Sequence, residues 1–590
     1  MSVHYRWLTD ARNVRTFSVM SLSLPAMRWI RGYERKNLRG DVSAGITIGA
    51  MLVPQAMAYA LLAGLPPQVG LYAATLPVVV YALLGTSRQL AVGPVAIVSL
   101  LTASALGAVA DTESSNYLAA AALLALLVGA VHLLLGVARL GWLVTFLSHS
   151  VLVGFTAAAA AIIGISQIKH LLGVAIPRSD HLHQTLLDLW KATPDAHLPT
   201  LLVAGASIIT LIAIKRFAPR LPGALVVVAV STAASAAFNL AGRGVRTVGE
   251  IPSGLPSFTF PKVDVALVGD LAPTAIVITL IGFVESIAVA KVYARRHRYE
   301  IDPNAELVAL GSANVVAGFT GAYPVGGGFA RTAVNDSAGA TTPLASLITA
   351  VLVIGVLIFL TPLFELLPQA SLAAIIVVAV RNLIDIAEMR HIIHVKRSDG
   401  IGMGIAAIAT LVLGIEIGIG IAVVASMLVV FARMSRPHSA VLGRIPNTTS
   451  YRNVLRFANA EVTEDVLVLR IDAAMSFVNA QHIKRLLVGH ATDEPAPRDI
   501  VLDCSGINDI DATGVEALGE AIDELDRVGV RLHLCDVKGP VRDVLHRSGV
   551  WVRLHQRIHA TPHAAMAAIH GEPIPIDHTA MGIDEPRIGS

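Results

Sequence analysis

The chain contains about fourteen apolar segments of about twenty residues or fewer, the length that an α-helix needs to cross a bilayer. Of its 590 residues, 54% are hydrophobic and 15% are charged, a smaller charged fraction than soluble domains carry. We therefore predict a polytopic α-helical membrane protein. The predicted spans lie at 42–63, 70–85, 94–110, 117–137, 148–172, 198–216, 221–240, 271–292, 304–320, 327–340, 342–361, 369–381, 398–413 and 415–434.

Lysine and arginine residues set the expected orientation, because they accumulate in cytoplasmic loops. They cluster before the first span and in the loops after even-numbered spans, whereas the loop at 111–116 carries none. We therefore expect both termini in the cytoplasm and a plasma membrane, of the bacterial inner-membrane kind given the compact loops. The loop at 241–270 opposes this orientation, since it contains Arg243, Arg246 and Lys262. The supporting residues are Arg28, Arg31, Arg35, Lys36, Arg39, Arg139, Lys215, Arg216, Arg220, Arg295, Arg296, Arg298, Arg390, Lys396 and Arg397.

Two of the apolar segments are interrupted by proline and glycine, at 90–95 and at 322–327. Such a break frees backbone groups that no water satisfies inside the hydrocarbon, so it persists only where it lines a protected cavity. A pair of broken helices in corresponding halves of a transporter indicates the substrate site. An ordinary proline or glycine kink is the alternative for each break taken alone.

Features of the first half recur in the second at an offset of about 230 residues. Gln55 lies midway along the first predicted span and Glu285 midway along the eighth, while Gly93 and Gly326 mark the two breaks. Half of about fourteen spans is an odd number, so we expect the second repeat, 271–436, to be inverted relative to the first, 41–240. The N-termini of two half-helices then converge, and their free N–H groups favour an anion.

Three motifs resemble those of a known family. They are Pro54–Ala60 followed by Ala63–Pro67 and Gly70–Tyr72, then Leu90–Ala96, then Pro324–Asn335. The resemblance is to the sulfate permease (SulP) family of anion transporters, and it extends over nearly the whole chain. It implies a seven-plus-seven inverted repeat, a core domain that moves against a gate domain, and a homodimer. Members of that family carry sulfate, bicarbonate, chloride, oxalate or dicarboxylates.

Beyond about residue 437, strands predicted at 466–471, 500–504 and 532–535 alternate with helices at 478–490, 513–528 and 540–548, which is typical of a small α/β domain. This region is similar to the STAS domain of the same family. In related anti-sigma-factor antagonists a phosphorylated serine follows an aspartate, but here Ala512 follows Asp511, so we expect that switch to be absent. Thr513 is expected to cap the following helix, with regulatory phosphorylation as the alternative.

The domain boundaries follow from these patterns. We predict a cytoplasmic N-terminal segment at 1–40, a transport domain at 41–436, a cytoplasmic STAS domain at 437–570 and a tail at 571–590. The two cysteines, Cys504 and Cys535, both fall in the STAS region, which argues against a disulfide framework and fits a reducing compartment.

The predicted substrate site combines both breaks with the first span. Gln55 and Tyr59 lie one turn apart and share a helix face, and matching family positions line the pocket. Gln55 binding only to neighbouring backbone is the alternative. Arg331 adds a fixed positive charge, with snorkelling or a pair with Glu285 as alternatives. Because glycines surround the second break, we expect main-chain N–H groups to do most of the binding. The predicted substrate-binding residues are Gln55, Tyr59, Gly93, Pro94, Val95, Ala96, Gly327, Gly328, Phe329, Ala330 and Arg331.

Glu285 is the predicted coupling residue, because an intramembrane carboxylate is costly unless it is paired or protonated. A structural ion pair is the alternative role, and the two readings combine if a Glu285–Arg331 pair loosens as anion or proton arrives. Scattered histidines such as His132, His149 and His170 are interpreted as packing or interface residues. Glu416 is expected to be solvated at a membrane face.

The sequence thus predicts secondary transport of a small anion by an elevator-like or rocking movement, with sulfate as the leading substrate. Proton symport is favoured over sodium symport, since a cation needs several oxygen ligands. A bicarbonate or fumarate-like dicarboxylate transporter, or an exchanger, is the alternative, and a membrane sensor or scaffold acting through STAS belongs to another class. Membrane lipid and an unknown cytoplasmic STAS partner complete the expected partners. We expect no enzymatic activity, cofactor or metal, including at the late histidines His555, His559, His563 and His570.

Overall fold

The computed structural model describes residues 29–109, 115–142, 148–176, 182–218, 221–260, 265–492 and 495–573, without the side chains of Ser115, Asn382, Ile415, Glu416, Ile419 and His555. Most of the predicted N-terminal segment and tail, part of the loop at 111–116 and the Glu416 side chain therefore lie outside the description. The chain divides into two compact units, Met1–Ser426 and Met427–Ser590, and each is considered by itself.

The first unit is built from helices, with one pair of two-residue strands, and its last helix continues beyond Ser426 to Ser435. In chain order they are α1 Leu38–Leu62, α2 Pro67–Ala73, α3 Leu76–Leu84, β1 Val92–Gly93, α4 Ala96–Val109, α5 Ser115–Val137, α6 His149–Leu172, α7 Leu182–Ala192, α8 Leu198–Phe217, α9 Gly223–Ala237, α10 Val265–Arg296, α11 Pro303–Phe319, β2 Gly326–Gly327, α12 Phe329–Ser337, α13 Leu344–Phe359, α14 Gln369–Val380, α15 Ile386–Val395, α16 Arg397–Leu413 and α17 Ile415–Ser435. Single 3-10 turns lie at Arg35–Asn37, Thr193–Asp195, Ala241–Arg243, Thr361–Phe364 and Arg381–Leu383.

This helical architecture confirms the predicted fold class. Within the described ranges, six helical stretches are long and apolar enough to cross a membrane, and shorter apolar helices accompany them. The count of about fourteen spans stays a prediction. Two helices, α7 and α15, were not predicted, because they are short and amphipathic and so never form a continuous apolar segment.

The helices of the first unit pack in two groups. The first group contains α1 to α5 and α10 to α13, and the second contains α6, α8, α9, α14 and α16. Corresponding helices of the two halves exchange equivalent contacts: α1 packs on α13 as α10 packs on α5, and α6 packs on α16 as α14 packs on α8.

Glycine allows the closest helix pair, α5 and α11, to meet backbone to backbone. A Cβ on Gly311 would lie 2.9 Å from the backbone nitrogen of Leu133, and one on Gly129 would lie 2.7 Å from that of Val315. Small residues at such crossings replace the hydrophobic driving force that is missing between helices in lipid.

Two buried carboxylates fix loops of the first group. Asp41 on α1 accepts hydrogen bonds from the backbone N–H and hydroxyl of both Thr341 and Thr342, at 2.7–3.1 Å. Glu306 on α11 accepts from the Thr86 N–H and hydroxyl at 2.6 Å, from the Ser87 N–H at 3.0 Å and from the Tyr81 hydroxyl at 2.8 Å. Residues 86–87 lie a few positions before β1, so Glu306 fixes the position of the chain that enters the first break.

Replacing Glu306 by alanine should destabilise the protein, because the Thr86 and Ser87 N–H groups lose their acceptor without gaining water. We expect a loss of about 1–3 kcal/mol of unfolding free energy. Thermal unfolding of the purified protein in detergent measures it. Glu300→Ala is the matched control, since Glu300 is exposed. An equal effect of both substitutions would contradict the assigned role.

The second unit is a six-stranded sheet with helices, as the predicted STAS fold requires. The strand order is β4-β3-β5-β6-β7-β8, with β5 to β8 parallel and β3 antiparallel to both of its neighbours. The elements are β3 Ser439–Arg444, β4 Tyr451–Asn453, β5 Val466–Ile471, α18 Ala480–His490, β6 Asp499–Asp503, α19 Ala512–Arg527, β7 Arg531–Cys535, α20 Gly539–Arg547, α21 Val550–Arg553, β8 Ile558–His559 and α22 Pro562–His570, with 3-10 turns at Cys504–Gly506 and His555–Arg557.

The three predicted strands correspond to β5, β6 and β7, whose apolar side chains form the buried core of this unit. The strands β3, β4 and β8 were missed, because they are short or lie near the sheet edges and lack long apolar runs.

The expected cap at Thr513 is wrong. Asp511 is the N-cap of α19: its carboxylate accepts from the Gly514 N–H at 2.8 Å and, through its other oxygen, from the Phe477 N–H at 2.8 Å. Aspartate is the stronger cap because its charge also complements the positive end of the helix.

A chain of polar groups runs across the edge of this sheet. Arg531 binds both oxygens of Asp499 at 2.7 Å, Asp499 contacts Nε2 of His533 at 3.1 Å, and Nδ1 of His533 lies 3.0 Å from Nε2 of His559. Burial, and secondarily His533, lower the pKa of His559 to about 4. Burial alone would raise the pKa of Asp499, but the hydrogen bonds from Arg531 and His533 outweigh it and the pKa is lowered.

The second unit should therefore become less stable as the pH is lowered. Between the ordinary histidine pKa of 6.5 and the folded value of about 4, the unfolded chain binds a proton on residue 559 that the folded chain does not. Stability is full above this window and is lost as pH falls through it, and Asp499 adds to the loss at still lower pH.

Amide hydrogen exchange of β7 and β8 in the full-length protein, corrected for the intrinsic pH dependence, measures this effect. His559→Gln should flatten the pH dependence because glutamine does not titrate. An unchanged slope in that variant would show that His559 does not carry the effect.

Candidate functional site

The two breaks meet in space as a pair of short strands. β1 lies antiparallel to β2, with Val92 opposite Gly327 and Gly93 opposite Gly326, and the Gly328 N–H donates to the carbonyl of Ala91 at 3.1 Å. Each break thereby supplies hydrogen-bond partners to the backbone that the other frees, which removes the main cost of non-helical chain inside a membrane. β1 leads into α4 and β2 leads into α12.

Glycine suits two positions of this pairing. Gly93 has φ of +151°, a conformation that residues with a side chain rarely adopt. A Cβ at Gly327 would lie 2.8 Å from Cδ1 of Leu90 and 2.9 Å from the Ser286 hydroxyl, so both side chains would have to shift.

Both short helices start with unbonded N–H groups. The first bond within α12 runs from the Thr332 N–H to the Gly328 carbonyl, so the N–H groups of residues 329–331 have no partner in the helix. Gly328 provides no side-chain cap. In α4 the first bond runs from Ser99 to Val95, which leaves the N–H groups of residues 96–98 in the same position. Each helix end therefore carries a partial positive charge.

Two of the predicted main-chain donors have other partners. The Gly327 N–H donates to the Ser286 hydroxyl at 2.8 Å, and that hydroxyl donates in turn to the Gly282 carbonyl at 2.5 Å. The Gly328 N–H belongs to the strand pairing. Gly327 and Gly328 thus shape the site, and the first-turn N–H groups are the ones left for a ligand.

Arg331 joins the two helix ends. Its side chain is 3% exposed, and Nη1 donates to the carbonyl of Pro94, two residues before α4, at 2.5 Å. Nη2 lies 3.7 Å from the position a Cβ would take on Gly93. Nε and Nη2 are buried without a hydrogen-bond partner among the residues that the structure describes. Buried charged donors are costly unless they are paired, so this guanidinium favours a bound anion.

Glu285 lies nearby on α10 but is not bonded to Arg331. The two side chains interact electrostatically, together with Tyr59, yet no direct ion pair joins them within the described part of the chain. Oε2 of Glu285 is buried without a partner. The sequence-based hypothesis of a Glu285–Arg331 pair is therefore not realised as a contact in this structure.

Gln55 and Tyr59 face the same region from α1. Both side chains are buried, and neither forms a hydrogen bond to any described residue. The alternative in which the Gln55 amide binds neighbouring backbone is therefore not observed. Tyr59 interacts electrostatically with Arg331 and Glu285, so it lies near the start of α12.

The sequence reasoning missed three side chains that build the site. Ser286 holds β2 against α10, as described above. The buried Tyr323 hydroxyl lies 3.0 Å from the hydroxyl of Ser99 on α4, which links one break to the helix of the other. Asn314 on α11 binds both the N–H and the carbonyl of Val325, at 2.8 and 3.1 Å. In the sequence, the only sign of a role for these three residues was that each is polar and lies within an apolar segment.

The scattered histidines lie outside this cluster. His132 is buried with Nδ1 2.9 Å from the Val128 carbonyl, and His149 pairs with Glu388 at 3.1 Å. In the second unit, His559 contacts His533, and His570 lies 3.7 Å from Asp465.

Comparison with known proteins follows the same division of the chain. Residues 38–409 match the sulfate permease family, and residues 457–565 match the STAS domain. The chain is 38% identical over 580 residues to sulfate transporter 4.1, chloroplastic, of Arabidopsis thaliana, covering 94% of this chain and 84% of that protein. It is 36% identical over 527 residues to a probable sulfate transporter of Mycobacterium tuberculosis, covering 89% of this chain and 94% of that one.

Solved structures share the fold. The murine Slc26a9 anion transporter superposes with a TM-score of 0.86 at 25% identity, covering 93% of this chain and 94% of that chain. The transmembrane domain of a cyanobacterial bicarbonate transporter, BicA, superposes with a TM-score of 0.59 at 25% identity, covering 67% of this chain and 98% of that chain.

An anion between the two helix ends should depend on Arg331. We expect sulfate to raise the melting temperature of the purified protein, and Arg331→Gln to weaken sulfate binding about 10- to 100-fold, because a charge-assisted hydrogen bond contributes about 1.5–3 kcal/mol.

Thermal unfolding over a range of sulfate concentrations, with gluconate balancing ionic strength, measures the shift. Arg295→Gln, an exposed change at the far end of α10, is the control. Equal sulfate responses in the two variants would exclude Arg331 from the site.

Proposed function

Because the chain belongs to the sulfate permease family of anion transporters and carries a STAS domain, we propose that it is a secondary transporter of a small anion, with sulfate as its leading substrate. Its relatives of Arabidopsis thaliana and Mycobacterium tuberculosis are named sulfate transporters. The chain is a transporter and not an enzyme. One observation carries the assignment of the site: Arg331 connects the N-terminus of α12 to Pro94, two residues before α4, while two of its nitrogens have no hydrogen-bond partner among the described residues.

The substrate lies between the N-termini of α4 and α12. The unbonded first-turn N–H groups of both helices attract the anion, and Arg331 supplies a full positive charge beside them. Gln55 and Tyr59 donate from α1 and distinguish oxygen-rich anions from halides. A tetrahedral oxyanion fits this set, because its oxygens can accept from two helix ends and two side chains at once.

A bicarbonate or dicarboxylate is the alternative substrate. The similarity to the transmembrane domain of BicA, a bicarbonate transporter, supports it. The same donors suit a planar carboxylate, since few side chains at the second break restrict ligand shape.

Glu285 couples the anion to a proton. In its ionised form the carboxylate competes with the substrate for the field of Arg331, and protonation removes that competition. Sodium is disfavoured because the site offers little else for a cation: the Ser286 hydroxyl is already engaged and a cation cage needs several oxygens. Proton and anion therefore enter together, and the loaded site carries no large net charge across the bilayer.

The movement follows the two packing groups. α1 to α5 with α10 to α13 form a core that carries both half-helices, and α6, α8, α9, α14 and α16 form a gate. The equivalent contacts between halves support an inverted repeat, which alternating access by an elevator-like shift requires. We further propose a homodimer in a plasma membrane, with both termini in the cytoplasm.

Uptake into proteoliposomes tests the function. Labelled sulfate should enter faster when the outside is acidic, and bicarbonate and fumarate serve as competitors. Glu285→Gln should abolish the acceleration by the pH gradient, because glutamine cannot carry the proton. Asp270→Asn, an exposed change on the same helix, is the control and should leave it intact.

Three outcomes discriminate the alternatives. Preferential uptake of bicarbonate or fumarate would replace sulfate as substrate. A gradient response that persists in Glu285→Gln would reject proton coupling at this residue. No uptake of any anion would favour a sensor or scaffold that signals through STAS.

A further inference from the structure

The helix α15 lies at one end of the membrane unit and does not cross it. Its ten residues, Ile386–Val395, span only about 15 Å, half the hydrocarbon thickness. It connects α14 to α16 and packs against α16 and the start of α6. Glu388 of α15 pairs with His149, the first residue of α6, at 3.1 Å. α15 is therefore at the membrane face where α6 begins.

α7 occupies the opposite face. α6 has 24 residues, so it is about 36 Å long and crosses the bilayer. α7 follows its C-terminal end. The two short helices thus lie at the two ends of one spanning helix, and the orientation predicted from lysine and arginine places α15 on the cytoplasmic side.

One flank of α15 is apolar and uncovered. Ile392 is buried against the protein, whereas Ile386 and Ile393 are 56% and 49% exposed and lie two helical turns apart on the same face. Short connections join α15 to the membrane helices α14 and α16, so this flank is at the level where acyl chains begin. Amphipathic helices of this kind lie in the plane of the interface.

Beside this flank, α15 and the two residues that follow it expose a row of basic side chains, while Val395 is also exposed. Five exposed groups form no hydrogen bond or ion pair with any described residue. Three acids lie in the same stretch and have other partners: Asp385 caps the Glu388 N–H at 3.0 Å, Glu388 pairs with His149 at 3.1 Å, and Asp399 also has an interaction in the structure. None of the basic groups forms an ion pair with a described residue, so their donors are open to an anionic partner at the same level. The five groups are Arg390, His391, His394, Lys396 and Arg397.

α7 shows what the corresponding helix looks like without this charge. It exposes Leu187 and Trp190, the latter a typical interfacial residue, but its one lysine, Lys191, is accompanied by Asp188. Both helices therefore carry the apolar surface of an interfacial helix, and only α15 adds a basic face. An interfacial helix of this protein can therefore form without basic residues, and the basic residues are found only on the α15 side of the membrane.

We propose that α15 lies in the headgroup region of the bilayer, with Ile386 and Ile393 against acyl chains and its basic face on the headgroups of anionic phospholipids. Lysine and arginine next to a membrane surface bind anionic lipid electrostatically, and each contributes about a fivefold gain in affinity. The Glu388–His149 pair connects this lipid contact to α6, one of the helices packed beside the core.

Thermal unfolding of the full-length protein in detergent, with added phosphatidylglycerol or phosphatidylcholine, tests the basic face. Phosphatidylglycerol should raise the melting temperature more than phosphatidylcholine does. The double variant Arg390→Gln/Lys396→Gln should need about 25-fold more phosphatidylglycerol for the same rise. Arg456→Gln/Arg547→Gln, which removes two exposed charges from the second unit, should respond like the unaltered protein. An unchanged phosphatidylglycerol response in the first pair would overturn the proposal.

A spin label at Ile393→Cys in proteoliposomes tests the apolar flank independently. Cys504 and Cys535 are buried, so labelling is selective. Relaxation by lipid-soluble oxygen should exceed that by a water-soluble nickel complex, and a label at His394→Cys should show the reverse. Strong relaxation of the residue-393 label by nickel would place this flank in water or against a protein partner, which contradicts the proposal.

Discussion

The backbone pairing of β1 with β2 is the contact on which the rest of the membrane unit depends. Inside hydrocarbon, a stretch of chain that is neither helix nor closed sheet leaves polar groups without partners. Here two such stretches satisfy each other, so neither half can adopt its broken form alone. The pairing also aligns α4 and α12, because each begins within three residues of its strand. The pairing that satisfies the backbone of the two breaks therefore also brings the N-termini of α4 and α12 together.

The same arrangement leaves two charged side chains, Arg331 and Glu285, buried without an ion pair between them. Arg331 donates one hydrogen bond to the Pro94 carbonyl. Two other nitrogens of Arg331 and one oxygen of Glu285 have no partner within the described ranges. A structural ion pair would have joined these groups directly. Their separation is consistent with a site whose ligands, an anion and a proton, complete it only transiently. Ser286, Asn314 and Glu306 form hydrogen bonds to the surrounding backbone. These bonds keep the chain from moving to a position in which Arg331 and Glu285 would pair with each other.

Much of this could be predicted from residues. Runs of apolar sequence placed most spans within a few positions of the observed helices, because burial in lipid is a local compositional demand. The breaks, Gln55, Glu285 and Arg331 stood out as polar or helix-breaking residues where such residues are costly. α7 and α15 escaped notice because an amphipathic helix of ten or eleven residues has the average composition of a loop. Thr513 was chosen over Asp511 because the start of α19 could not be located to one residue.

What the sequence by itself determined is the class of molecule, its division into a membrane unit and an α/β unit, and the two positions where the membrane helices break. These depend on hydropathy and on proline and glycine, which act locally. The tertiary structure alone decided which donors remain for a ligand. The N–H groups of Gly327 and Gly328 donate to the Ser286 hydroxyl and the Ala91 carbonyl, so they are not free for a ligand. Arg331 donates to the carbonyl of Pro94, 237 positions away in the sequence. Hydrogen-bond partners so distant in sequence leave no local pattern, so only the folded chain shows which groups are satisfied and which are left to bind.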